Sequence, residues 1–208
     1  MRFVFDFGGV LLRWQPAELL ERVWPHRIVD GASAAHWVRE VFGVPGGGWS
    51  DFDRGTIDAA ALAQRIAGRT GLTPDEVRIL LDAVPEHLQP IPETVDLLAR
   101  LRAAGAPLYY LSNMPAPYAR HVLRTQDFVG WFAAGVFSSQ VRLVKPEPAI
   151  FALAAQCFGV PAAQLMLLDD HPANVVAARA AGWNALHFID AAQAERDLRA
   201  AGGWPLAE

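Results

Sequence analysis

The stretch RFVFDFGGVLLRW, Arg2 to Trp14, decides how the rest of the chain is read. Phe3-Val4-Phe5 is a short apolar run of the kind that forms a buried strand, and Asp6 stands where that strand runs out. A carboxylate placed there is costly to bury unless something positively charged faces it. Two glycines follow at once, so no second acidic side chain stands two residues on, at Gly8. The question is therefore what Asp6 faces, and which groups elsewhere in the chain share its position.

The chain has 208 residues, enough for one large domain or a domain with a sizeable insertion. An apolar content of 52% with 19% charged residues and seven tryptophans indicates a folded globular protein. Eighteen Lys plus Arg against 22 Asp plus Glu give a formal charge of -4, and no Lys/Arg cluster is interleaved with aromatics, so no nucleic-acid partner is expected. No apolar run approaches the about 18 residues of a membrane span. Asp6 interrupts any signal-peptide pattern, and the single cysteine, Cys157, cannot form an internal disulfide, so a cytoplasmic location is expected. Helical spacing in AIFALAAQCFG makes Cys157 a core residue rather than a nucleophile.

Further strand-like runs occur at Leu108–Leu111, Val136–Phe137, Leu165–Leu168 and Ala185–Ile189, separated by helical patterns. This alternation predicts an α/β fold with a parallel sheet. Helices are predicted over Glu93–Ala104, after Pro92, and Ala173–Ala181, after Pro172; each stops at a glycine. Roughly ninety residues separate the first two strands, far more than a crossover needs. Within them Thr73-Pro74-Asp75-Glu76 is a capping box, Asp58 can cap Ala59–Ala67, and Ala17–Trp24 and Ala34–Phe42 read as helices. Residues 15–89 are thus expected to form a small helical cap, with 1–14 and 90–208 making the core. Gly43 to Gly55, GVPGGGWSDFDRG, is too glycine-rich for helix and reads as a mobile or substrate-facing loop.

In an open parallel sheet, ligands bind beyond the carboxyl ends of the strands. Asp6 follows the first strand, Ser112-Asn113 the second, Lys145-Pro146 lies beyond the third, and Asp169-Asp170 ends the fourth. Carboxylates, a hydroxyl and a lysine would converge on one rim, as a metal-assisted phosphate site requires. Mg²⁺ prefers hard oxygen ligands, which suits Asp6 and Asp170 better than scattered His or Cys. Lys145, Ser112 and backbone N–H groups can stabilise the oxygens of a transferring phosphoryl group. Asp6, on the most rigid element, is the candidate nucleophile, because a carboxylate attacking phosphorus divides one hard displacement into two easier ones.

The motifs DFGGVL, LSN, VKPEPAIF and LLDDHPANVVAARAAG, in this order with a helical insertion after the first, resemble the four motifs of the haloacid dehalogenase superfamily. The resemblance spans the chain and implies a Rossmann-like three-layer core with an inserted helical cap, and most commonly a Mg²⁺-dependent phosphatase of small phosphate esters. By position, it implies that Asp6 is the nucleophile and that the Gly8 carbonyl, Asp6 and Asp170 ligate the metal, with Asp169 close behind. Ser112, Asn113 and Gly9 fall in the phosphate-binding set, and Lys145 matches the family's lysine.

Gly8 departs from the usual phosphatase pattern, in which a second Asp protonates the leaving oxygen and then activates water. General acid–base assistance is typically worth about 10²- to 10⁴-fold. Three readings follow: a phosphatase with an easily expelled leaving group, such as a sugar-1-phosphate, or with an acid from elsewhere; a metal-free 2-haloacid dehalogenase; or a non-catalytic phosphate- or partner-binding protein. Dehalogenation would leave the carboxylates facing Asp6 uncompensated.

Each residue also has an ordinary structural role open to it. Ser112-Asn113 can turn the chain, Lys145 can be a surface lysine, and Asp170 or His171 can cap the helix at Pro172. Asn174 can face the site or solvent. In the insertion the candidates are Trp37, Trp49, Asp51 and Asp53, although the tryptophans read equally as packing and Asp51-Phe52-Asp53 as loop decoration; of the four, Asp53 or Trp49 could approach substrate as the cap closes.

Overall fold

The computed structural model describes residues 1–204. Five strands, β1 (Arg2–Phe5), β2 (Leu108–Ser112), β3 (Ala134–Phe137), β4 (Leu165–Asp169) and β5 (Asn184–His187), form one parallel sheet in the order β3-β2-β1-β4-β5. The central strands are apolar along their whole length, as they must be when both faces are covered. The chain builds outward from β1 to β3, then returns to β1's other side for β4 and β5. This reversal opens a crevice beyond the carboxyl ends of β1, β2 and β4.

Register brings the predicted residues level. Phe5 pairs with Tyr110 on one side and Leu168 on the other, so Asp6, Leu111 and Asp169 occupy the next rung. The Asp6 N–H continues the ladder by donating to the Leu168 carbonyl at 3.0 Å. Phe7 is buried against Tyr110 and Phe137, with ring centroids 5.1 and 5.3 Å away, and its carbonyl accepts from the N–H groups of Leu11 and Leu12. An aromatic cluster thus fixes the turn that carries the two glycines.

Between β1 and β2 lie α1 (Pro16–Val23), α2 (Gly31–Val38), α3 (Trp49–Arg54), α4 (Ala59–Thr70), α5 (Pro74–His87) and α6 (Pro92–Ala103). A π turn at Arg39–Gly43 continues α2 through the residues that sequence spacing assigned to one helix. The chain leaves the sheet and returns along adjacent paths: Arg13 N donates to Gln89 O at 2.8 Å and Ile91 N to Leu11 O at 2.9 Å. The capping boxes operate as expected at Thr73/Glu76, and Asp58 caps α4. After β2 come α7 (Ala116–Thr125), α8 (Ser138–Val141), α9 (Pro148–Phe158), α10 (Pro172–Ala180) and α11 (Ala191–Ala200). Among the described residues no helix is long and apolar enough to cross a membrane.

Two expectations are corrected. The glycine-rich stretch contains α3, because Gly48 (φ 104°) and Gly55 (φ 73°) take left-handed conformations at its two ends and punctuate a helix instead of dissolving it. Cys157 is exposed. The buried stripe of α9 runs through Ile150, Phe151, Ala154 and Phe158, and Cys157 lies one residue, about 100° of helix rotation, off it.

Candidate active site

At the centre is Lys145, whose side chain is wholly buried. Its Nζ lies 2.9 Å from Asp6 Oδ2 and 2.6 Å from Asp169 Oδ2, and it donates to the Leu111 carbonyl at 2.9 Å. Burial favours the neutral amine, but the two carboxylates outweigh it and hold the lysine protonated, above its ordinary value. Asp6 is pushed up to about 7, chiefly by burial; Lys145 pulls it down while Asp169 and Asp170 push it further up. Its Oδ1 accepts from Phe7 N at 2.7 Å.

Asp169 is fully buried and both its oxygens are engaged. Oδ2 meets Lys145 and Asn174, and Oδ1 accepts from His171 N at 2.9 Å and Asn174 Nδ2 at 2.9 Å. This carboxylate orients the lysine, whereas Asp170 stands exposed at the rim. Burial and the neighbouring Asp169 raise Asp170 above the carboxylate norm, against the pull of Lys145.

Asp6, Asp169 and Asp170 offer carboxylate oxygens within 4.8 Å of one another. Three carboxylates against one lysine carry a formal charge of -2, which a divalent cation would neutralise. The donor set, all oxygen, fits Mg²⁺. Gly9 (φ 75°) makes room for the Asp170 carboxylate: a Cβ there would fall 2.2 Å from Asp170 Oδ2. That glycine, expected to contact substrate, is required first by the approach of Asp170.

The remaining predicted residues divide. Ser112 is buried and its Oγ finds no hydrogen-bond partner among the described residues. The Asn113 side chain, by contrast, is committed to the main chain of Lys145: Nδ2 donates to its carbonyl at 2.9 Å, and Oδ1 accepts from its N–H at 2.8 Å. It ties the loop after β2 to the lysine, and Asn113 also lines the cavity above the cluster. Asn174, left open by the sequence, points inward and grips Asp169; no pattern along one helix turn announces a contact made by the fold. His171 is exposed and contributes its backbone N–H.

A cavity of about 470 Å³ opens above this cluster, and Asp6, Gly8, Lys145 and Asp170 form its floor. Trp14, Phe42, Trp49, Val84, Leu88, Met114 and Tyr118 supply apolar walls, and Ser50, Asp53 and His171 add polar points. Trp49 and Asp53 are therefore brought to the site. Trp37 is not, since it stacks on Trp24 and under Arg27; Asp51 pairs with Arg65 at 2.6 Å. Trp14, Phe42 and Tyr118 escaped the sequence reading because they converge from three separate elements.

These features define a Rossmann-like α/β protein whose acidic strand ends surround a buried lysine in a centre suited to a charged ligand. The model of the haloacid dehalogenase-like hydrolase family matches residues 1–182, and the chain belongs to that family. Among its relatives is the sesquiterpene phosphatase astK of Aspergillus oryzae, 27% identical over 197 residues, covering 94% of this chain and 93% of that protein. Among solved structures, the family enzyme BT-2542 of Bacteroides thetaiotaomicron, crystallised with magnesium and inorganic phosphate, superposes with a TM-score of 0.70 at 20% identity, covering 91% of this chain and 94% of that one. L-2-haloacid dehalogenase from Xanthobacter autotrophicus superposes with a TM-score of 0.67 at 22% identity, covering 95% and 82%. At those identities the likeness is one of fold.

Proposed function

We propose that the protein is a Mg²⁺-dependent phosphatase of small phosphate monoesters acting through an aspartyl-phosphate on Asp6. The carrying observation is the arrangement of Asp6 beside protonated Lys145 with Asp170 in the same cavity, and with the orphaned Ser112 hydroxyl at the carboxyl end of the neighbouring strand β2. Asp6 and Asp170, with the Gly8 carbonyl, would hold Mg²⁺, which would supply positive charge to the phosphoryl oxygens. Lys145 neutralises charge on the phosphoryl group and on the attacking carboxylate, while Asp169 and Asn174 hold it in place. Ser112 Oγ donates to a phosphoryl oxygen and so gains the partner it lacks. Residues 15–89 act as a cap closing over the core of 1–14 and 90–208.

The cavity bears on the substrate. Trp14, Phe42, Trp49, Val84 and Leu88 would pack against the organic part of a substrate, while Ser50, Asp53, Asn113 and His171 are the polar groups that could meet it. These walls favour an ester whose organic part is apolar or aromatic, in keeping with the sesquiterpene phosphatase to which the chain is similar. The dehalogenase alternative is disfavoured by the formal -2 of the cluster, which would repel an anionic haloacid. A non-catalytic binding role gives no reason for a nucleophile-lysine pair at 2.9 Å.

The test is release of inorganic phosphate from a panel of sugar, alkyl, aryl and isoprenoid monophosphates, with Mg²⁺ or with EDTA, and halide release from 2-haloacids in parallel. Mg²⁺-dependent phosphate release, greatest for apolar esters, is expected. Halide release in EDTA without phosphatase activity would establish the dehalogenase reading instead.

A further inference from the structure

Gly8 offers no side chain to protonate the leaving oxygen, yet the cavity contains a carboxyl in another place. Asp53, on α3 of the insertion, lines the same cavity as Asp6 and Lys145. We propose that Asp53 is the general acid and base of the reaction, replacing from the insertion the group missing at Gly8; this rests on the phosphatase reading above.

Its backbone is held against the core at the site. The Asp53 carbonyl accepts from Ser138 Oγ at 2.6 Å, and the same hydroxyl oxygen accepts from the N–H of Met114, in the loop after β2, at 2.8 Å. The next residue, Arg54, forks onto Glu147, two residues beyond Lys145, with one contact at 2.9 Å. Gly55 then runs so close to α8 that a Cβ there would lie 2.9 Å from the Ser139 carbonyl. Three successive residues thus hold the C-terminal end of α3 against α8 and the segment that carries Lys145.

The side chain is free to act. Asp51 and Asp58, its neighbours in sequence, are used by Arg65 and by the N-terminus of α4. Among the described residues the Asp53 carboxyl takes part in no hydrogen bond or ion pair. Burial and then the charge of Asp6 raise it above the ordinary carboxylate range, against the pull of Lys145. The other carboxyls at the cavity, Asp6 and Asp170, are committed to attack and to the cation, and His171 stands exposed at the rim.

The steps balance as follows. A carboxylate oxygen of Asp6 forms a bond to phosphorus; the bond from phosphorus to the ester oxygen breaks, and that oxygen keeps the electron pair and takes the proton of Asp53, leaving as the alcohol. The Asp53 carboxylate then accepts a proton from water as the water oxygen attacks phosphorus. The bond from phosphorus to Asp6 breaks, phosphate leaves, and both aspartates return to their starting states.

The test uses Asp53→Asn, with Asp53→Ser in parallel, folding checked by circular dichroism, and Mg²⁺ present. Substrates are p-nitrophenyl phosphate, whose leaving group needs no proton, and a primary alkyl phosphate. The variants should lose about 10²- to 10⁴-fold in alkyl ester turnover. With the aryl ester they should release one equivalent of nitrophenol per enzyme in a burst near the wild-type rate, then slow as the phosphorylated enzyme awaits a base. Gly8→Asp in the Asp53→Asn background should restore alkyl turnover, since a Cβ at Gly8 meets Trp14 at an ordinary 3.6 Å. Wild-type rates in both variants, or equal loss on both esters without a burst, would overturn the role given to Asp53. A wild type releasing no phosphate from either ester would overturn the phosphatase reading itself.

Discussion

Replacing Ser112 by Ala should make the free protein more stable and the liganded protein less so. The Ser112 hydroxyl is buried at the end of β2 without a partner among the described residues. An unsatisfied buried hydroxyl costs about 1–3 kcal/mol. Alanine removes the polar atom and almost no volume, so a gain of about 1 kcal/mol is expected, or about 2–4 °C in Tm for a chain of this size. If the hydroxyl instead serves a phosphoryl oxygen, its loss removes a hydrogen bond to a charged group, about 2 kcal/mol, and weakens binding roughly 30-fold. At phosphate equal to 100 times the wild-type Kd, with Mg²⁺, ligand adds about 2.7 kcal/mol to the wild type. It adds only about 0.9 kcal/mol to Ser112→Ala. Even with its 1 kcal/mol head start the variant then falls below the wild type. The assay is a pair of thermal melts, with and without phosphate and Mg²⁺, in which the order of the two proteins should invert. A variant less stable than wild type without ligand would refute the reasoning, because the hydroxyl would then be satisfied and structural.

Asn174→Ala removes both side-chain hydrogen bonds to buried Asp169. It should cost about 1.5–3 kcal/mol in urea unfolding and lower kcat more than it raises KM, as Lys145 loses its fixed position. Asp53→Asn should be more stable than wild type by a margin that grows with pH when no divalent cation is added. The folded-state value of about 8 lies above the ordinary aspartate value of 3.8, so between them the unfolded chain has released a proton that the folded chain keeps, and wild-type stability falls as pH rises. Allowing for water in the cavity, the margin should reach on the order of 1–2 kcal/mol by pH 8. Equal pH dependence in the two proteins would show that Asp53 titrates normally.

The core of this account could be read from the chain because its determinants are local. β1, β2 and β4 are apolar runs ending at or just before chemically distinctive residues, and a parallel sheet necessarily brings those ends to one edge, so Asp6, Ser112 and Asp170 could be placed together from the sequence, with Lys145 in the segment beyond β3. The division of labour within the pair Asp169-Asp170 could not, because it depends on which carboxylate the lysine and Asn174 reach. The pairing of the Asn113 side chain with the main chain of Lys145 was hidden for the same reason, since the two lie 32 positions apart. The short helix α3 was hidden because glycine density counts against helix while saying nothing of where left-handed glycines fall. The apolar walls were hidden because they are assembled from α3, α5, α7 and the loops between.

The central claim is that Asp6 is phosphorylated during turnover. The direct measurement is to mix the wild type with Mg²⁺ and an aryl phosphate, quench in acid within the first turnover, and map the phosphoryl group by peptide mass spectrometry, with Asp6→Asn alongside. The account predicts the modification on the peptide containing Asp6 in the wild type, none in Asp6→Asn, and no phosphate release by that variant. Phosphate release continuing in Asp6→Asn, or a phosphoryl group found on another residue, would contradict it.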